Sequence, residues 1–337
     1  MMAGSKISNT ATVVVDDGFA HTKVAWMDPA TKKIMTTSIP SLATAGLVAT
    51  GFDGDVQGGY ETDGLSFTVG GHLSNPHDTR DNSYPYSPIN RCIVTHALRS
   101  AGFGRDEDVT VRLGLTIPMK PFFDLGRDYV TEKRRESYRK SVKTLGAKAS
   151  INIDVDKLIV LPEAASAWVD FMLDDDGGDA ADIEQSVAVF DVGGRTTDTA
   201  IFRNGVVDKA ASGTDFIGVM DLIELIKDET RRIHKAEVSI QMAERALRDP
   251  DHHVSLWGSD IDITEIVHQA KRRVSESLYQ MAMRRIGDGA SFDVLLFVGG
   301  GAAVLGEALS EYPNVQVPHE PEFANARGAL KKMIHQS

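Results

Sequence analysis

The chain has 337 residues, with 36 Lys or Arg against 48 Asp or Glu and a formal charge of −12. Apolar residues make up 42% and charged residues 25%, the balance of a folded soluble protein long enough for two domains, each with its own core. A single cysteine, Cys92, excludes an intrachain disulfide framework; no run approaches the roughly 18 apolar residues of a membrane span; and the acidic balance argues against a surface that grips nucleic acid throughout.

Residues 1–11 are polar and are expected to form a disordered leader. Thr12–Asp16 (TVVVD) is predicted as a strand covered on both faces, because three consecutive valines leave it no polar side. Asp17-Gly18 turns into a second strand, Lys23–Met27, closed by Asp28-Pro29. Ile34–Ile39 is a third. Residues 41–71 carry eight glycines and are expected to form irregular hairpins. Ser87-Pro88, a cap followed by Pro at the first helical position, opens a helix that runs to Ser100. Val109–Ile117 is a strand stopped by Pro118. A charged helix follows over Tyr129–Leu145, and its Glu132, Lys133, Arg134, Arg135 and Arg139 read as a solvated face. Short strands Ile151–Val155 and Leu158–Leu161 lead to Pro162 and a helix from Glu163 to Leu173. Asp174–Glu184 is expected to be an acidic surface loop.

Ser186–Asp191 is another buried strand, turning through 192–195 into Thr197–Phe202. Asn204-Gly205 signals a tight hairpin. Helices are expected over Phe216–His234, Ser239–Leu247 and Ile261–Ile286, the last with apolar residues at helical spacing. His252-His253 lacks a Cys or carboxylate at ligand spacing and reads as a surface pair, not a zinc site. Val294–Val298 is a third buried strand, running into Gly299-Gly300-Gly301 ahead of a predicted helix. Phe323–Ile334 closes the chain as a helix.

One plan occurs twice. VVVDDGFAHTKVAW (13–26) and VAVFDVGGRTTDTAIF (187–202) each run from an apolar strand to an Asp, a Gly-containing turn, polar residues and a second strand. Asp16 and Asp191 lie 175 positions apart. The repeat predicts a duplicated α/β protein with a cleft between its halves. Two carboxylates at buried strand ends would repel across such a cleft, and a hydrated Mg²⁺, held by one or two carboxylates plus phosphate oxygens, would relieve this. Turns around Gly18 and Gly193-Gly194 offer backbone N–H groups to phosphates, and Lys23 is placed to reach them as a point charge. Glycines at 299–301 let the backbone approach a ligand. Glu163, lying in sequence between the two hairpins, is the candidate to act on water. No Walker A sequence occurs, so a P-loop ATPase is excluded.

These blocks stand in the order of the actin, heat-shock-protein-70 and sugar-kinase superfamily. Within it the chain resembles the ParM/StbA family of plasmid-segregation actin-like ATPases, through VVVDDGFAHTKVAW, LGLTIPMKPFFD, VTEKRRESYRK, VLPEAASAW, VFDVGGRTTDTAIF and LFVGGGAAVL, over residues 12–334. The resemblance implies a duplicated actin-like (ribonuclease H-like) α/β fold with a nucleotide cleft between domain I (12–165 plus 323–337) and domain II (166–322). It implies an ATPase that takes ATP, or GTP, with Mg²⁺, and that assembles head to tail with itself into filaments that separate plasmid copies. A ParR-like DNA-binding adaptor is the implied partner, with plasmid centromere DNA reached only indirectly, in a bacterial cytoplasm and away from membranes. Carried over by position, Asp16 and Asp191 hold the Mg²⁺ waters and Glu163 orients the attacking water. Asp17, Gly18, Phe19, Ala20, Gly193, Gly194, Arg195 and Thr196 border the phosphates, Lys23 meets the β-phosphate, and Gly299, Gly300 and Gly301 border the nucleoside. Phe19-Ala20 departs from a family pattern that has Ser or Thr after the first-loop Gly. Arg195 is open between a phosphate contact and an outward salt bridge. The alternative is a small-molecule kinase of the same superfamily, which needs an acceptor site that the sequence does not display.

Overall fold

The computed structural model describes residues 9–49, 56–71, 73, 76–77, 83–306 and 308–335. Most of the expected leader, residues 1–8, lies outside these, while Thr10 and Ala11 already belong to the first strand. The chain divides into two compact units, residues 1–181 with 325–337, and residues 182–324. The expected boundary at 165/166 falls inside the first of these units, which runs on to residue 181.

In the first unit, β1 (Thr10–Asp17), β2 (His21–Met27) and β3 (Ile34–Pro40) form a meander. The glycine-rich segment gives β4 (Ala43–Ala45), β5 (Gly59–Thr62) and β6 (Leu65–Val69). After α1 (Pro88–Ser100), β7 (Val109–Ile117) lies parallel to β1. Then come α2 (Met119–Leu125), α3 (Arg127–Tyr138), β8 (Lys143–Thr144), β9 (Ile151–Ile153), β10 (Ile159–Pro162) and α4 (Ala165–Met172). The main sheet runs β10-β7-β1-β2-β3, with β9 on β7, and a second sheet runs β4-β6-β5-β8. The charged helix stops at Tyr138, short of the expected Leu145, because Lys143 and Thr144 pair with Glu61 and Tyr60. That pairing satisfies the backbone as a strand and overrides local helix propensity.

The second unit holds β11 (Val187–Val192), β12 (Thr197–Arg203), β13 (Val206–Val207), β14 (Gly213–Asp215), α5 (Val219–His234) and α6 (Ile240–Arg248). There follow β15 (His253–Leu256), β16 (Ser259–Asp262), α7 (Thr264–Ile286), β17 (Val294–Val298) and β18 (Val315–Gln316). Its sheet runs β13-β12-β11-β17-β18, with β14 on β12. α8 (Ala324–His335) then returns the chain to the first unit. Two expectations fail here. Ile261 belongs to a strand paired with Val254, and α7 starts only at Thr264. The segment after Gly301 forms a series of turns in place of a helix, with Ala302 and Val304 N–H groups donating three residues back. Glycines at 299–301 and 306 make a regular helix costly there.

The sequence repeat is a structural repeat. β1 is antiparallel to β2 and parallel to β7, as β11 is antiparallel to β12 and parallel to β17. Asp16 faces Lys23 and Asp191 faces Asp198. Both turns therefore enclose four residues, 18–21 between Asp17 and Thr22, and 193–196 between Val192 and Thr197. Each central strand is buried on both faces, as its unbroken apolar run predicts. Val13 and Val15 enter a core with α1 and β7, and Val14 meets Ala326, Ala329, Leu330 and Met333 of α8.

Candidate functional site

The two hairpins are described in turn. Asp16 is 2% exposed. Its Oδ2 accepts from Lys23 Nζ at 3.0 Å, and its Oδ1 accepts from the Thr116 hydroxyl of β7 at 2.7 Å. Lys23 is thus not a solvated strand lysine; it lies across the register from the carboxylate it neutralises. Ser41, just past β3, clamps the turn: its hydroxyl donates to the Gly18 carbonyl at 2.7 Å and its N–H donates to the Ala20 carbonyl at 2.9 Å. The Phe19 ring packs near Tyr84, with centroids 6.0 Å apart. The side chain that breaks the family pattern is therefore a packing residue.

Asp17 follows Asp16 at the end of β1. Its carboxylate is buried and accepts from Arg134 Nη2 of α3 at 2.6 Å and from Asn90 Nδ2 of α1 at 2.5 Å. Arg134 was expected on a solvated face, but is 1% exposed. The Asp17 charge holds its guanidinium, which also donates to Asn90 Oδ1 and to the Pro85 carbonyl. Burial lowers the Arg134 pKa and the neighbouring Asp17 anion raises it, with a net rise.

Glu163 follows β10 in a turn ahead of α4, not inside a helix. Its N–H donates to the Ile117 carbonyl at 2.8 Å. The next residue, Ala164, is fully buried with φ 54° and ψ −46°, and the Ala165 N–H donates back to the Glu163 carbonyl at 2.5 Å. This is the rare, strained γ-turn. It is braced by α8, where Asn325 Oδ1 accepts from the Ala164 N–H at 2.9 Å. Ser166 donates to the Pro162 carbonyl at 2.8 Å. Gly328 lets α8 cross close to α4, since a side chain there would meet the Ser166 carbonyl.

In the second hairpin Asp191 is again buried at the strand end. The Gly193 N–H donates to the Thr196 carbonyl at 2.8 Å, so this amide closes the turn. The carbonyls of Gly193 and Gly194 accept from Val219 and Met220 N–H groups at 3.1 and 2.7 Å, tying the loop to the first turn of α5. The Arg195 guanidinium lies over the exposed Phe216 ring, 5.7 Å from its centroid. Gly299 has φ 85°, and a Cβ there would strike Asp191 Oδ1. Gly301 donates to the Val192 carbonyl at 2.8 Å, and an added Cβ would strike Val192. A Cβ on Gly300 would meet open space. The glycines thus pack β17 against the Asp191 turn.

Other candidate chemistry falls away. His252 is buried and its Nδ1 is bonded to the Ala246 carbonyl at 2.7 Å, so the pair is half structural. No group of three metal-ligating side chains occurs among the described residues. Burial pushes the Cys92 thiol up to about 12, which removes it as a nucleophile at neutral pH. Sequence reasoning missed Ser41, Asn90, Thr116, Arg134 and Asn325. Thr116 and Asn325 reach partners 100 and 161 positions away, and no local pattern announces that.

A buried Asp with a hydroxyl beside it, and no His or Cys, is a hard-oxygen environment. It fits Mg²⁺ bound through water, for Asp16 Oδ2 accepts from Lys23 and Oδ1 from Thr116, and each oxygen has a second lone pair. No helix among the described residues is long and apolar enough to cross a membrane.

Residues 11–172 match the family model for plasmid segregation protein ParM, N-terminal, and residues 189–311 that for archaeal actin homologue MreB-like, C-terminal. Among solved structures, the 15-stranded ParM filament from Clostridium botulinum aligns with a TM-score of 0.77 at 19% identity, over 97% of this chain and 100% of that one. An archaeal actin homologue in complex with ADP gives 0.75 at 20%, over 97% and 100%. Bacillus thuringiensis ParM with ATP gives 0.67 at 18%, over 96% and 98%. No curated protein sequence matches. The chain thus has the actin-like fold of ParM and the archaeal actin homologues, with its first half matching the ParM model and its second half the MreB-like one.

Proposed function

We propose that the chain is an ATP-hydrolysing, filament-forming protein of the ParM kind, which moves plasmid DNA through a ParR-like adaptor. The observation that carries this reading is the pair of register-matched hairpins, each ending its central strand in a buried Asp before a four-residue turn. Relatives solved with ADP, and with ATP, and in a filament support it.

In this reading Asp16 and Asp191 hold Mg²⁺ through its waters, and the ion supplies charge neutralisation for a triphosphate. The remaining work belongs to the chain's own groups. Lys23 offers its ammonium to the phosphates while shielding Asp16. Loop one and loop two fix the phosphates by backbone N–H groups, and the open side of Gly300 leaves space for the nucleoside. Glu163 accepts a hydrogen bond from the attacking water and aligns it. Phosphoryl transfer depends chiefly on such positioning. Filament stability then follows nucleotide state, by the difference in subunit affinity between ATP and ADP forms.

Light scattering and electron microscopy with ATP–Mg²⁺, ADP and a non-hydrolysable analogue test this directly. Glu163→Gln is expected to polymerise with ATP while releasing phosphate at least about 100-fold more slowly. Wild-type turnover in that variant removes Glu163 from the mechanism. Absence of ATP-dependent polymer removes the filament. Turnover on a small hydroxylated acceptor without polymer favours a kinase.

A further inference from the structure

The structural repeat contains its own control. In register, Asp17 of loop one corresponds to Val192 of loop two. Val192 is fully buried in an apolar core, so the hairpin can be built with no charge at this position. Loop one nevertheless buries a carboxylate there, and with it a whole guanidinium; the side chains of Asp17 and Arg134 are 2% and 1% exposed. Desolvating two charges costs several kcal/mol each, and a buried ion pair often adds no net stability over an apolar pair. Packing alone does not account for the exchange of Val for Asp.

The two loops are also anchored differently. Loop two hangs from α5 by the carbonyls of Gly193 and Gly194. Loop one has a comparable clamp, Ser41 on the Gly18 and Ala20 carbonyls, but at its base it adds a second anchor, the Asp17 side chain, gripped by Arg134 from α3 and Asn90 from α1. Arg134 also donates to Asn90 Oδ1 at 3.0 Å, closing a three-residue ring of hydrogen bonds. Arg91, next along α1, donates to Ser137 of α3 at 2.9 Å, so the two helices are braced against each other. The guanidinium serves the Pro85 carbonyl and Asn90 from Nη1 and Asp17 from Nη2, two separated nitrogens in one plane, whereas an ammonium has to offer its three donors from a single point.

We propose that Arg134 is a positioning residue for loop one: through Asp17 it fixes the backbone of residues 18–21 in the conformation that receives an anionic ligand. The inference rests on the nucleotide reading for the identity of that ligand, but the fixing itself does not. The residue pair is a tether added to one copy of a repeated hairpin, and its effect is order in that loop.

The test is the double substitution Asp17→Val with Arg134→Leu, which imitates the second hairpin. It removes both charges at once, so no buried ion is left alone. The variant is expected to melt within about 4 °C of the wild type. Amide hydrogen exchange at residues 18–22 without nucleotide should be at least about tenfold faster, and calorimetric affinity for Mg²⁺–ADP at least about tenfold weaker. A stable variant with wild-type exchange in the loop overturns the proposal. If the wild-type chain itself takes up no ADP, the nucleotide reading falls while loop exchange still decides the tether. Should the double variant not fold, Arg134→Lys replaces it in the exchange measurement: faster loop exchange is expected, and wild-type exchange again overturns the proposal.

Discussion

Ala164 carries a backbone conformation that an L-residue adopts reluctantly, at φ 54° and ψ −46°, and it does so beside Glu163. Strain of this kind costs about 1–3 kcal/mol and survives only where the surroundings fix it. Here the Asn325 side chain takes the Ala164 N–H, and the Ala165 N–H folds back on Glu163. The turn holds the Glu163 backbone out of α4, which begins at Ala165. Ala164→Gly relieves the positive φ but deletes a buried methyl worth about 0.8 kcal/mol and adds about 0.5–1 kcal/mol of backbone entropy to the unfolded chain, so gain and loss are of similar size. It should stay within about 1 kcal/mol of the wild type. Ala164→Val adds a β-branched side chain where the site is already full, and should lose about 3 kcal/mol or more. Urea denaturation measures both, and a Val variant as stable as the wild type would show that the turn is not strained.

At the scale of elements, the sequence was legible where one strand could be read by itself. TVVVD and SVAVFD each announced a doubly covered strand, and the shared Asp and Gly spacing announced the repeat. Legibility failed where a distant partner decided the outcome. Val142 to Leu145 read as helix because nothing local shows that Lys143 and Thr144 will pair with β5. Arg134 read as solvated because its partner, Asp17, lies 117 positions away. The glycine triplet was read for ligand approach, but Gly299 and Gly301 also serve close packing within the unit. Gly299→Ala puts a methyl against Asp191 Oδ1 at a positive φ. It should cost about 1–2 kcal/mol from the backbone alone, and displace the carboxylate besides. Gly300→Ala, with open space at its Cβ, should be close to neutral in the same denaturation series. Equal losses in both variants would refute the packing role.

For the whole molecule, the decisive question is whether both hairpins serve one ligand. Each unit has its own apolar core, so neither hairpin needs the other in order to fold. A ligand that binds only the native state stabilises it by RT ln(1 + [L]/Kd), about 2.7 kcal/mol at a hundredfold excess over Kd. For a chain of this size that is a rise in melting temperature of about 4 °C. If ATP–Mg²⁺ draws on both carboxylates, then Asp16→Ala and Asp191→Ala should each remove most of that rise by themselves. Glu163→Gln should keep it, because its role is confined to water. The change in melting temperature on adding nucleotide is the quantity to compare, since Asp16→Ala also removes the ion pair with Lys23 and lowers the starting value. Should one Asp variant retain the full rise, the ligand rests on a single hairpin. The repeat would then be an architectural inheritance, without a shared catalytic site.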